Sequence, residues 1–175
     1  MNFCSNCGFS QLQFEIPEGD NRARYVCQTC GTIHYTNPKI VAGCLPVWED
    51  KVLLAKRAIH PRKGYWNIPA GYLENKESVE EGALREVWEE TEAKVVIGGI
   101  LAVFSIPRIS QVYILFRGQM ETANFGIGVE SLEVELFAED EIPWNDIAFY
   151  SSKFALEQFF ADRKRGVYEA HVGEM

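Results

Sequence analysis

The sequence predicts an α/β domain built on a mixed sheet, preceded by a small metal-dependent ribbon. Three observations predict it. Two Cys-x2-Cys pairs stand near the start, short apolar runs separated by turn residues follow from residue 37, and two stretches of helical periodicity interrupt those runs. The change in composition divides the chain into a ribbon at residues 1–36 and a larger domain at residues 37–175.

The ribbon rests on Cys4-Ser5-Asn6-Cys7 and Cys27-Gln28-Thr29-Cys30. Thiolates two residues apart on a tight turn can point at one ion, and a second such turn completes the four-sulfur tetrahedron that Zn²⁺ prefers. The spacing therefore predicts one structural Zn²⁺ held by Cys4, Cys7, Cys27 and Cys30. Two disulfides are the competing reading, which a chain without an export signal in a reducing compartment disfavours. Gly8 and Gly31 follow the pairs and let the chain turn sharply beside the sulfurs. The segment is polar and poor in aliphatic residues, so it cannot bury a core without the metal. Cys44 lies in an apolar run and reads as a small buried hydrophobe.

Composition excludes several function classes. The chain has 175 residues, 47% of them hydrophobic and 24% charged, with a formal net charge of -8. Such a charge repels polyanions, so no nucleic-acid partner is expected. There is no apolar run long enough to span a bilayer, and Met1-Asn2-Phe3-Cys4 lacks the basic and apolar regions of a leader. The expected location is cytoplasmic, with no membrane partner.

Within the larger domain, residues 39–48 and 52–57 read as a β-hairpin around the turn at 49–51. A loop with Pro61 and Gly64 leads to a short extended piece at 67–71. Ser78-Val79-Glu80-Glu81 has the form of a capping box, and a helix is expected from there to about residue 92, with Leu84, Val87, Trp88 and Thr91 as its buried stripe. Strands are expected at 94–104, 111–119 and 132–137, and a last helix at 152–164.

Glu86, Glu89 and Glu90 occupy positions i, i+3 and i+4 of that first helix, so their carboxylates share a face, expected opposite the apolar stripe. Like charges so spaced cost a few tenths of a kcal/mol per pair, which a hard divalent cation would offset. A solvated acidic face is the competing reading, and basic residues to interleave it are few: Arg85 can pair with Glu89 and Lys94 with Glu90, but Glu86 has none at helical spacing.

The spacing of Gly71, Glu77 and Arg85-Glu86-Val87-x-Glu89-Glu90 resembles the signature box of the Nudix hydrolase superfamily. Glu92 departs from it where the family usually has glycine, and Ala93 where it has a larger aliphatic. The four-cysteine ribbon, Trp66-x-Ile68-Pro69-Ala70-Gly71-Tyr72 and Glu130-Ser131-Leu132-Glu133 are similar to the zinc-ribbon group of that superfamily. That group includes a plant plastid FAD and ADP-ribose pyrophosphatase and, more distantly, NADH pyrophosphatases. The resemblance implies an α/β/α sandwich and hydrolysis of the diphosphate of a nucleoside diphosphate derivative. FAD or ADP-ribose is favoured over NADH, because the proline-rich motif of the NADH enzymes is represented only by Phe104-Ser105-Ile106-Pro107-Arg108. It further implies a homodimer, with Mg²⁺ or Mn²⁺ held by Glu86, Glu90, Glu89 and the Ala70 carbonyl, and Glu77 holding Arg85, which orients the cluster. Glu130 is the expected general base, with Glu133 and Glu135 as competitors. Arg57 and Arg108 are candidate phosphate contacts or surface arginines, and Trp66 and Tyr72 candidate base-stacking residues or core. A house-cleaning nucleoside triphosphate pyrophosphatase and a non-catalytic ADP-ribose sensor are the alternatives.

Overall fold

The structure, a computed structural model, describes residues 1–175. The chain divides into two compact units, Met1–Asn37 and Pro38–Met175. In the first unit, β1 (Leu12–Glu15), β2 (Arg24–Cys27) and β3 (Ile33–His34) form an antiparallel sheet, in the order β1-β2-β3. Its buried side chains are Cys4, Cys27 and His34, too few to hold a fold by burial alone.

The second unit begins with β4 (Lys39–Trp48) and β5 (Lys51–Arg57), the expected hairpin, followed by two short strands, β6 (Trp66–Asn67) and β7 (Ala70–Tyr72). Helix α1 (Val79–Thr91) follows, then β8 (Val95–Ile106), β9 (Gln111–Met120), β10 (Ser131–Phe137), α2 (Tyr150–Arg165) and β11 (His171–Glu174). The main sheet runs β10-β5-β4-β9-β8-β11, with β6 attached to β5 and β7 to β4. It is mixed: β4 runs parallel to β9, and β11 parallel to β8.

Side-chain alternation along the strands produces the layers. On β4, Ala42 and Cys44 face one cluster with Leu53 and Phe116, while Leu45 and Val47 face another with Val52, Leu54 and Leu115. Ala83 and Val87 of α1 close the first cluster, and Ala155, Leu156 and Phe159 of α2 close the second. One helix thus covers each face, giving the α/β/α sandwich. Cys44 is fully buried, and burial pushes its thiol up to about 12.

Helix α1 starts as expected, with the Ser78 hydroxyl accepting from the Glu81 amide and Glu81 accepting from the Ser78 amide. Its buried face differs from the expected stripe. Ala83, Val87, Glu90 and Thr91 are buried, whereas Trp88 is 51% exposed. The carboxylate face therefore adjoins the buried face rather than opposing it. At the C-terminus of α1, Glu92 takes the left-handed conformation, with φ 52°, that glycine adopts without strain.

Sequence patterning did not foresee β11. It pairs with residues 102–105 of β8, while the Val95–Leu101 half of β8 carries register irregularities between Ile97 and Ala102. The strand is fastened by Asp162 of α2, whose fully buried carboxylate accepts from the His171 ring at 2.9 Å and the Glu169 amide at 3.0 Å and pairs with Arg165. Burial alone would push this carboxyl up, but the contacts from His171, Glu169 and Arg165 outweigh it and hold it at about 2. Because that lies below the ordinary value near 3.9, the stabilisation is complete above about pH 4 and is lost as pH falls towards 2. Asp162→Asn should cost about 2–3 kcal/mol and lower the melting temperature at pH 7 by roughly 5–10 °C. An unchanged melt, with hydrogen-exchange protection of residues 171–174 intact, would refute this role for the clasp.

Candidate active site and metal centre

In the ribbon, the four thiols converge. The Sγ atoms of Cys4, Cys7, Cys27 and Cys30 all lie within 4.8 Å of one another, with Cys4–Cys30 at 3.7 Å and Cys7–Cys27 at 3.6 Å. A tetrahedral ion with bonds of about 2.3 Å separates its sulfurs by nearly that distance, whereas a disulfide needs about 2.05 Å. Hydrogen bonds from the Thr32 hydroxyl and amide pull the Cys30 thiol down, favouring its thiolate, while the neighbouring thiols push Cys7 up. The donor set fits a zinc ribbon.

In the second unit, a cleft of about 1110 Å³ opens beside the end of α1. Its floor is acidic: Glu86, Glu89 and Glu90 from α1, and Glu130 from the loop before β10. The loop is fastened by backbone contacts. Gly126 and Gly128 donate to the Thr91 and Glu90 carbonyls at 2.7 and 3.1 Å, Ser131 Oγ donates to the Glu90 carbonyl at 2.9 Å, and the Ala58 amide donates to the Glu130 carbonyl at 2.7 Å. The carbonyls that a helix end leaves unpaired thus anchor the loop carrying Glu130. The two glycines make this approach feasible, since a Cβ on Gly128 would sit 1.8 Å from the Glu89 carbonyl oxygen and one on Gly126 would meet the Glu92 carboxylate. Of the three candidate bases, Glu130 lines the cleft; Glu133 and Glu135 do not, and Glu133 is paired with Lys56 at 2.9 Å.

Arg85 lies behind the carboxylates. It grips Glu77 in a bidentate contact at 2.8 and 3.1 Å, reaches Glu86 at 2.7 Å and Glu89 at 3.1 Å, and donates to the Tyr72 carbonyl at 3.1 Å. Arg85, together with the Glu74 amide, holds the Glu77 carboxyl down at about 2. These contacts fix where Glu86 and Glu89 point.

Glu90 makes no ion pair and is 7% exposed; Lys94 lies beyond the helix and does not reach it. Burial first, then repulsion from Glu86 and Glu130, pushes its carboxyl up to about 8 against the opposing pull of Arg57 and the Ala70 amide. Burial also raises Glu86, again against Arg85. Gly71 approaches so closely that a Cβ there would stand 2.3–2.5 Å from the Glu86 carboxylate. Crowded, buried, underneutralised oxygens of this kind suit a hard divalent cation. The chemistry of the donor set and the glycine cradle both fit such an ion.

The remaining candidates separate. Arg57, Arg108, Tyr72 and Ala70 line the cleft. The Arg57 guanidinium lies 5.1 Å from the Phe149 ring centroid, and its Nε donates to the Pro61 carbonyl at 2.9 Å. Tyr72 is 48% exposed, its hydroxyl accepting from Gln111 at 2.8 Å and one face carrying Lys39. Trp66 does not reach the cleft. It is buried edge-on against Phe137 within the core beneath α2, so it has no free face to stack on a ligand. Trp88, expected in the core, lines the cleft instead.

Residues 2–36 match the zinc-ribbon Nudix N-terminal family, and residues 37–156 match the NUDIX domain family. The chain belongs to the Nudix hydrolases. It is accordingly a hydrolase of phosphoanhydride bonds. A NUDIX hydrolase of known structure from Nitrosomonas europaea is 51% identical, with a TM-score of 0.95 over 100% of this chain and 99% of that one. An ADP-ribose pyrophosphatase from Methanocaldococcus jannaschii is 30% identical over 113 residues, 62% of this chain and 67% of that protein. The NAD-capped RNA hydrolase NudC of Photobacterium profundum is 34% identical over 97 residues, which make up 54% of this chain but 33% of that longer protein. No helix is long and apolar enough to cross a membrane.

Elemental analysis of the purified Nudix chain should return one zinc per chain, and Cys27→Ser should release it together with the ribbon's resistance to proteolysis. A variant that keeps its full zinc content would overturn the four-thiolate assignment.

Proposed function

We propose that this Nudix hydrolase cleaves the diphosphate of a nucleoside diphosphate derivative, with FAD or ADP-ribose preferred over NADH, to give AMP and the other phosphate half. The observation that carries the reading is the convergence of Glu86, Glu89, Glu90 and Glu130 on the floor of one cleft, with Arg57 and Arg108 on its walls. Three clustered glutamates backed by an arginine serve no purpose in a module that only binds. The cleft is also larger than a nucleoside monophosphate requires.

Glu86 and Glu90, with Glu89 in support and the Ala70 carbonyl beside them, would hold Mg²⁺ or Mn²⁺. When bound, such ions neutralise phosphate oxygens and acidify a water molecule. Arg85 keeps Glu86 and Glu89 aimed into the cleft. On this reading Arg57, whose charge acts on Glu90, neutralises a nonbridging phosphate oxygen. On this reading Glu130, which lines the same cleft, takes the proton of the attacking water.

Glu90→Gln should lower turnover by roughly 10²–10³-fold in saturating Mg²⁺ while leaving the melting temperature unchanged or higher, since a buried carboxylate is removed. Near-normal turnover would remove the metal assignment. Glu130→Gln should lower kcat and leave metal affinity intact by calorimetric titration; an equal fall in metal affinity would make Glu130 a ligand instead of a base. With FAD as substrate, AMP and FMN should accumulate in equal amounts. Turnover confined to nucleoside triphosphates with release of inorganic pyrophosphate would favour the house-cleaning activity.

A further inference from the structure

Met175, directly after β11, lines the cleft together with Ile106, Arg108 and Ile109. Its amide donates to the Ser105 carbonyl at 3.1 Å, so the pairing of β11 with residues 102–105 of β8 continues to the point where β8 enters the cleft wall. The 3₁₀ turn Pro107–Ile109 follows at once and carries Arg108. Beyond that turn, the Lys39 amide donates to the Ser110 carbonyl at 2.9 Å. This wall is thus braced by β4 on one side and by β11 on the other.

The β11 brace is anchored far from the cleft. Tyr150, the first residue of α2, lines the cleft, whereas Asp162 lies twelve residues further along the helix, roughly 18 Å away. From there the chain turns back. Tyr168 stacks on Phe159 with centroids 5.9 Å apart and carries the Arg117 guanidinium 3.8 Å from its own centroid, and Asp162 then takes the Glu169 amide and the His171 ring. β11 runs parallel to β8 towards the cleft, with His171 opposite Ala102 and Glu174 opposite Ser105. Gly173 seats it closely, since a Cβ there would stand 2.8–3.0 Å from the Phe104 and Phe154 rings. A four-residue edge strand has little hold of its own, so its position depends on the anchor at its start. The acidic floor is built elsewhere, on α1 and the loop before β10.

We propose that Asp162 positions the cleft wall formed by Arg108, Ile109 and Met175, and so sets the affinity for substrate without entering the chemical step. When the clasp is lost, β11 is freed, the Met175 amide leaves the Ser105 carbonyl, and the Arg108 turn keeps only its β4 brace. The carboxylates stay where they are. A wall that meets the substrate equally well before and during reaction contributes to KM and leaves kcat alone. Asp162 is a positioning residue that acts through β11. This inference rests on the proposed substrate-binding role of the cleft.

The test uses the full-length protein with Mg²⁺ and two lesions that reach β11 from different places, Asp162→Asn at the clasp and Gly173→Val against the Phe104 and Phe154 rings. Below their melting temperatures, both variants should raise KM for ADP-ribose roughly three- to tenfold while kcat stays within about twofold. Combined with Arg108→Ala, Asp162→Asn should add little further to KM, because the group it positions is already gone. A second readout needs no substrate. In protein labelled at the methionine methyls, the Met175 resonance should move in Asp162→Asn, while that of Met120, buried in the core, should not. An unchanged KM in the folded variants, a fall in kcat as large as the rise in KM, additive effects of Asp162→Asn and Arg108→Ala, or a stationary Met175 resonance would overturn the proposal. If neither ADP-ribose nor FAD is hydrolysed, the calorimetric affinity for ADP-ribose replaces KM. The same weakening in Asp162→Asn would then keep the proposal and sink the hydrolytic reading alone, and an unchanged or undetectable affinity would sink both.

Discussion

A carboxyl group removed from water among other acidic groups is costly to ionise, and Glu90 imposes that cost at the point where the structure has least freedom to relieve it. Its side chain is packed between α1 and the sheet, and the neighbouring Glu86 and Glu130 are acidic too. Its backbone is committed as well, since the Glu90 carbonyl accepts from both Gly128 and Ser131. The buried carboxyl group and the loop that carries Glu130 are thereby coupled through a single residue. The loop can bring Glu130 to the cleft only where the helix ends, and the helix ends where the buried carboxylate sits.

The sheet supplies the rest of the constellation through its shortest members. β6 and β7 are appended to the ends of β5 and β4, and together they carry Asn67, Ala70 and Tyr72 to the cleft wall. Arg57 arrives as the last residue of β5 and is held by the Pro61 carbonyl and the Phe149 ring. Rigid neighbours therefore support each group, which is the condition for precise orientation of charge in a reaction dominated by positioning.

Much of this was legible in the residues. Ser78 and Glu81 announced the start of α1, the hairpin followed from its turn, and the cysteine spacing announced the sulfur cluster. The face of α1 was not legible, because apolar periodicity assigns Trp88 to the core and leaves Glu90 in solvent, and the structure does the reverse. Packing against β4 selects the narrow edge of Ala83, Val87 and Thr91, and the large indole falls outside it. For Trp66 the residues alone left stacking platform and core both open, and the structure takes the core, because its partner is Phe137, some seventy positions later. The docking of the loop was hidden in Gly126 and Gly128, whose spacing resembles any flexible stretch until the helix end they touch is known. The fastening of β11 was hidden because Asp162, His171 and Glu169 are ordinary surface residue types in one dimension.

The C-terminal strand has a bearing on self-association. Without it, β8 would be the outermost strand of the sheet over its whole length, twelve residues with Val96 and Ile100 already exposed. A bare ladder of that length invites pairing with another chain. β11 occupies residues 102–105, and the displaced register between Ile97 and Ala102 roughens the stretch before them. Partial release of the last residues would leave the cleft's carboxylate floor in place and still expose an unpaired margin at the edge of the sheet farthest in strand order from β10.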